Sequence, residues 1–143
     1  MKARKVKGLD PAAPLVDNAR KIVATRVDEL YSFDPHGDSD ELHNMRIAAK
    51  RLRYVLELTA PALGDGAARG ARQAKEIQTL LGDLYDCDEM LVLLSGERGL
   101  DPIVAHFSAR RDRLHARFIR KWERLERDGF RGQLEQALQG RYG

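Results

Sequence analysis

Apolar residues spaced three and four apart fill four successive stretches of this 143-residue chain, and that interval is the repeat of a helix that buries one face. Three breaks, "SFDPHGDSD", "LGDG" and "SGERGL", separate the stretches. Asp10 and Pro11 read as the cap and first turn of the first helix, and Leu15, Ala19, Ile22, Val23, Val27 and Leu30 keep the spacing to about Tyr31. Ser39 or Asp40 caps the second, which runs to about Ala62 and lines up Leu42, Met45, Ala49, Leu52, Leu56 and Thr59 on one stripe. The third extends from about Ala67 to Leu94, and Gly82 within it marks either a close approach or a small bend. Asp101-Pro102 starts the fourth, in which Ile103, Phe107, Leu114, Phe118 and Leu125 define a long helix to about Asp128. Gln133 to Leu138 is either a short helix or a frayed tail. Short connections favour sequential antiparallel packing. The chain is therefore predicted to be all-α, an antiparallel four-helix bundle over residues 10–143 behind a disordered basic tail at 1–9.

Composition narrows the function classes. With 33% charged, 43% hydrophobic and only 6% aromatic residues, the chain suits helices around one core. Cys87 is the single cysteine, which excludes an intrachain disulfide and disfavours a cysteine metal site. The longest strictly apolar run near the centre, Met90 to Leu94, is far shorter than a membrane span, and the N-terminus lacks a signal-type apolar segment. A cytoplasmic protein without membrane contact is expected. His36, His43, His106 and His115 do not form a zinc-ligand pattern, and there is no P-loop. Asp83, Asp86, Asp88 and Glu89 are read as balancing nearby bases, so no catalytic residue, metal or cofactor is assigned and the chain is read as a non-enzyme.

The cations are arranged rather than abundant, since the net charge is only +3. In "LHNMRIAAKRLRYVLEL", His43, Arg46, Lys50 and Arg53 repeat the 3,4,3 spacing of the apolar stripe displaced by one residue, and Arg51 alone points elsewhere. Like charges three and four apart cost a helix about 0.2–0.5 kcal/mol per pair, and no acid relieves them before Glu57. The fourth helix repeats the device with His106, Arg110, Arg113, Arg117, Lys121 and Arg124 beside its apolar face. The third adds Arg72 and Lys75 ahead of Gln78 and Gly82. Each strip alone could be a solvated charged face; three together point to an anion site.

The same residues resemble a known family. "LHNMRIAAKRLRYVLEL", followed by "KEIQTLLGDLYDCDEMLVLL", is similar to the CHAD family, the α-helical domain named for its histidines, over roughly residues 38–95. The carrying motifs are H-x-x-R-x-x-x-K-R-L-R and K-x-x-Q-x-x-L-G-x-x-x-D. The resemblance implies a helical module that binds inorganic polyphosphate along a basic groove or pore without catalysis. His43, Arg46, Lys50, Arg51 and Arg53 match the signature of the second helix, and Lys75 the basic position ahead of Gln78. Asp86 matches an acid expected to orient a basic neighbour, while Tyr85 stands where the family often has Arg or Asn. The resemblance also implies a triphosphate-hydrolysing partner protein and association with polyphosphate granules. Family domains commonly pair two four-helix units with opposed basic faces; one unit is present in this sequence, which predicts a homodimer about a two-fold axis that polyphosphate strengthens.

Two other readings use the same cations. A nucleic-acid-binding protein needs them too, although Trp122 and the few Tyr and Phe residues do not interleave with the basic strips in the sequence and no recognition helix is evident. A bundle that only scaffolds a partner is the other.

Overall fold

The computed structural model describes residues 2–139, and among them every regular element is a helix. These are α1 (Leu15–Tyr31), α2 (Ser39–Leu63), α3 (Asp65–Leu94), α4 (Asp101–Arg127) and α5 (Phe130–Leu138). The four long helices follow the expected order, α1 against α2, α2 against α3 and α3 against α4. Their buried faces form one core, with Val23, Leu30, Met45, Leu52, Leu56, Ile77, Leu81 and Phe118 almost wholly excluded from solvent. Burying such a side chain contributes about 1.5–3 kcal/mol, so the apolar stripes are what hold the bundle together.

Local chemistry moves two of the expected helix starts. The first helix opens at Leu15 rather than at Asp10-Pro11, with Pro14 in extended conformation at its cap position. Proline disfavours helical geometry in the residue before it, so Pro14 resets the start. Asp10 instead makes a turn, accepting from the Ala12 N–H at 2.9 Å. At α2 the cap is Asp38, not Ser39 or Asp40: its carboxylate accepts from the Glu41 N–H at 2.9 Å while Glu41 accepts from the Asp34 N–H at 2.9 Å. Gly64 alone joins α2 to α3, with φ of 90°, a left-handed value that L side chains rarely adopt.

The ends are better ordered than periodicity suggested. Residues 4–10 are not a loose tail but lie antiparallel along α1. The Arg4 N–H donates to Glu29 Oε2 at 2.8 Å, Lys21 Nζ to the Gly8 carbonyl at 2.5 Å and Asn18 Nδ2 to the Asp10 carbonyl at 2.7 Å. Backbone polarity, which a charge count ignores, fastens the segment. At the other end α5 is a helix of nine residues, starting at Phe130, three residues before the expected turn. Phe130 and Leu134 are buried, and α5 packs on α1, α3 and α4. Gly70 of α3 lets Leu134 settle; a methyl group there would collide with its Cδ2 atom.

Candidate anion-binding groove

A groove of about 720 Å³ lies between α3 and α4. Its cations are Arg72 and Lys75 from α3 and Arg117, Arg120, Lys121 and Arg124 from α4. Antiparallel packing sets the register, since Lys121 reaches Glu76 and Arg111 reaches Asp88 further along the same pair of helices. Glu76 is the sole carboxylate among the described residues of the lining, and it pairs with Lys121. Among the described ion pairs none involves Arg72, Lys75, Arg117, Arg120 or Arg124. Cations left without acids in a cleft repel one another and hold donors ready for an incoming anion.

Four of the eleven sequence-assigned residues, Arg72, Lys75, Arg117 and Lys121, meet in this groove. Arg72 and Lys75 also border a second hollow of about 320 Å³ between α2 and α3, with Glu57 on its far wall. They therefore form a ridge between the α4 groove and the α2 stripe. On α2, Arg53 pairs with Glu57 at 3.5 Å, and its guanidinium lies over the Tyr54 ring at 4.6 Å, with Lys50 over the same ring at 5.8 Å. Arg46 crosses towards α3 above Gly82 and sits 5.5 Å from the Tyr85 ring centre. Gly82 thus accommodates the Arg46 side chain. Tyr85, in the place of a polar residue, gives Arg46 an aromatic face.

The structure separates the others from the groove. Arg51 turns to α1, where its Nη1 lies 3.5 Å from Glu29 Oε1. Glu29 is 1% exposed and also meets Arg26, so Arg51 serves to neutralise a buried carboxylate. His43 stacks on Tyr85 at 4.3 Å between ring centres and borders a hollow of about 500 Å³ shared with Asp40, Asp88 and Glu89. That is the acidic end of α2. Arg110 and Arg113 are exposed on the N-terminal half of α4 and do not line the groove. The acid that holds a base is Asp88, with Arg111 at 2.9 Å, whereas Asp86 is exposed and has no described ion pair.

Sequence reasoning missed Arg120, which falls off the α4 strip by helical angle yet reaches the groove, and left Arg124 out of the assigned site although the strip contained it. It also missed that Tyr54 and Tyr85 touch stripe cations. Spacing held the signal, because Tyr54 follows Lys50 by four residues on one helical face.

A family model for the CHAD domain matches residues 4–95. This chain belongs to the CHAD family. CHAD domains are linked in general to polyphosphate binding. The CHAD match starts in the segment fastened to α1 and ends just after α3, so the groove joins a matched helix to α4, which lies beyond it. Two uncharacterized proteins from strains of Mycobacterium tuberculosis, Rv2226 and MT2285, are each 34% identical to this CHAD chain over 130 residues. The alignments cover 91% of this chain and 23% of each relative, so the chain spans about a quarter of the length of the curated relatives it matches. No solved structure matches it. No described helix is long and apolar enough to cross a membrane.

Proposed function

We propose that this CHAD chain binds inorganic polyphosphate in the α3–α4 groove and performs no catalysis itself. The supporting observation is the set of five cations with no acidic partner among the described residues, Arg72, Lys75, Arg117, Arg120 and Arg124, lining one cleft. A phosphate chain presents repeated charge along its length, and each charge-assisted hydrogen bond contributes roughly 1.5–3 kcal/mol. Arginine can bridge two oxygens while Lys75 acts as a point charge, so Arg72, Arg117 and Arg124 fix the path of the chain as well as its affinity. Lys50, Arg46 and Arg53 extend the surface across the α3 ridge for longer chains. The groove is open on one side, and we propose that a second copy covers the bound anion about a two-fold axis. A protein that hydrolyses triphosphate and a polyphosphate-rich cytoplasmic site are the partner and setting we propose with it.

Calorimetric titration of long-chain polyphosphate, with light scattering on the same samples, tests this reading. An Arg72→Ala, Arg117→Ala, Arg124→Ala variant that keeps its helical circular dichroism should bind at least about a hundredfold more weakly. Wild-type affinity should fall steeply with salt as counterions are released. Equal binding by the variant refutes the groove, no wild-type binding refutes the ligand, and a monomer mass at saturation refutes the dimer.

One observation favours a second ligand. Tyr54 is 43% exposed between Lys50 and Arg53, which is how a base-stacking platform for single-stranded nucleic acid is built. A single-stranded oligonucleotide that displaces polyphosphate at equal charge, and loses that ability in Tyr54→Ala, would favour it.

A further inference from the structure

Glu76 stands in an odd place for a groove made of cations. Its Oε2 meets Lys121 Nζ across the cleft, while the other five cations of the lining have no described acid partner. A carboxylate beside a ligand-binding ammonium can act in two opposite ways. It can hold the ammonium in position and so raise affinity, or it can occupy the place that a phosphate oxygen would take and so lower it.

Exposure distinguishes the two. The Lys121 side chain is 16% exposed and that of Glu76 is 56% exposed, so the lysine is held by its packing while the acid is the member that faces the solvent and any arriving anion. A carboxylate that faces the solvent gains little from its ion pair, so displacing the acid is cheap enough to happen on binding. The acid's negative charge nevertheless lies within the run of cations that a phosphate chain has to follow.

Building on the polyphosphate reading, we infer that Glu76 is a resident counter-anion which the incoming phosphate chain displaces from Lys121. In the unoccupied groove Lys121 stays paired with Glu76 against weakly held anions, and a lasting complex forms when an anion engages several of the remaining cations at once. On displacement the carboxylate swings into water and Lys121 exchanges its ion pair with Glu76 for one with phosphate.

The sign of one substitution tests this. Long-chain polyphosphate is titrated into the wild type, Glu76→Gln, Lys121→Ala, the double variant, and Asp17→Asn, which removes one exposed charge from α1 outside the groove. Glu76→Gln should bind about tenfold tighter, and Asp17→Asn should stay within about twofold of the wild type. The gain should vanish when Lys121→Ala is combined with Glu76→Gln, because there is then no ammonium to release. Unchanged or weaker binding by Glu76→Gln, or a gain that survives loss of Lys121, overturns the inference while leaving the polyphosphate reading intact. Absence of binding by both wild type and Glu76→Gln brings down the polyphosphate reading itself.

Discussion

Glu29 is the one charged side chain buried among the described residues, and it gathers Arg26, Arg51 and the backbone of Arg4 around it. The angle of Arg51 off the basic stripe was legible from helical geometry; its partner was not, since that contact joins two helices across a loop. Tyr31, two residues on, shows a different consequence of burial. Its ring packs on Trp122 at 5.2 Å between centres and under the Arg131 guanidinium at 4.7 Å. Burial, reinforced by the charge of Glu126, pushes its hydroxyl well above the usual tyrosine range. The folded chain then keeps a proton that the unfolded chain releases above about pH 10, so this contribution to stability is complete below that pH and is lost as pH rises further. Denaturation followed between pH 9 and 11.5 should show a Tyr31→Phe variant losing less stability than wild type, the difference growing by up to about 1.4 kcal/mol per pH unit above pH 10. Parallel alkaline limbs would contradict this.

At the level of elements, α5 shows what periodicity alone could not supply. Nine residues are too few for a helix to be stable alone, and its existence depends on Phe130 and Leu134 finding the space left by Gly70 and the ends of α1 and α4. Leu134→Ala should cost about 2–5 kcal/mol in chemical denaturation and expose α5 to early amide exchange, without altering the cations of the groove. A cost below about 1 kcal/mol would mean that α5 is an ornament. The four long helices were readable because each carries its own apolar stripe, Leu42 to Leu56 being the plainest. Their starts were less so. Asp38 and Pro14 outcompeted Asp40 and Pro11 through single backbone hydrogen bonds and a proline's effect on its neighbour, which act below the resolution of a 3,4 pattern.

Across the whole molecule, charge is divided along the bundle. Arg72, Lys75, Arg120 and Arg124 lie on the halves of α3 and α4 nearer the α2–α3 turn, and the opposite end holds Asp40, Asp88 and Glu89. Helical angles could align cations along single helices, yet they could not show that His43, Arg110 and Arg113 sit towards the acidic end, because that depends on the register between helices. The register follows largely from Gly64, the lone residue between two helices of 25 and 30 residues. So short a closure costs little chain entropy, and most contacts between α2 and α3 are near in sequence compared with those that bring α5 under α1. The order of assembly follows from this. The α2–α3 hairpin should nucleate folding and carry the floor of the groove with it, while α4 docks later to raise the other wall. Core substitutions within the α2–α3 hairpin, such as Ile77→Val on α3, should therefore slow refolding, and substitutions beneath α5 should mainly hasten unfolding in stopped-flow chevrons. A chain emerging into a medium rich in polyanion would then offer Arg72 and Lys75 before Arg117 and Arg124 exist as a surface, so a polyanion would meet one wall of the proposed site before the other.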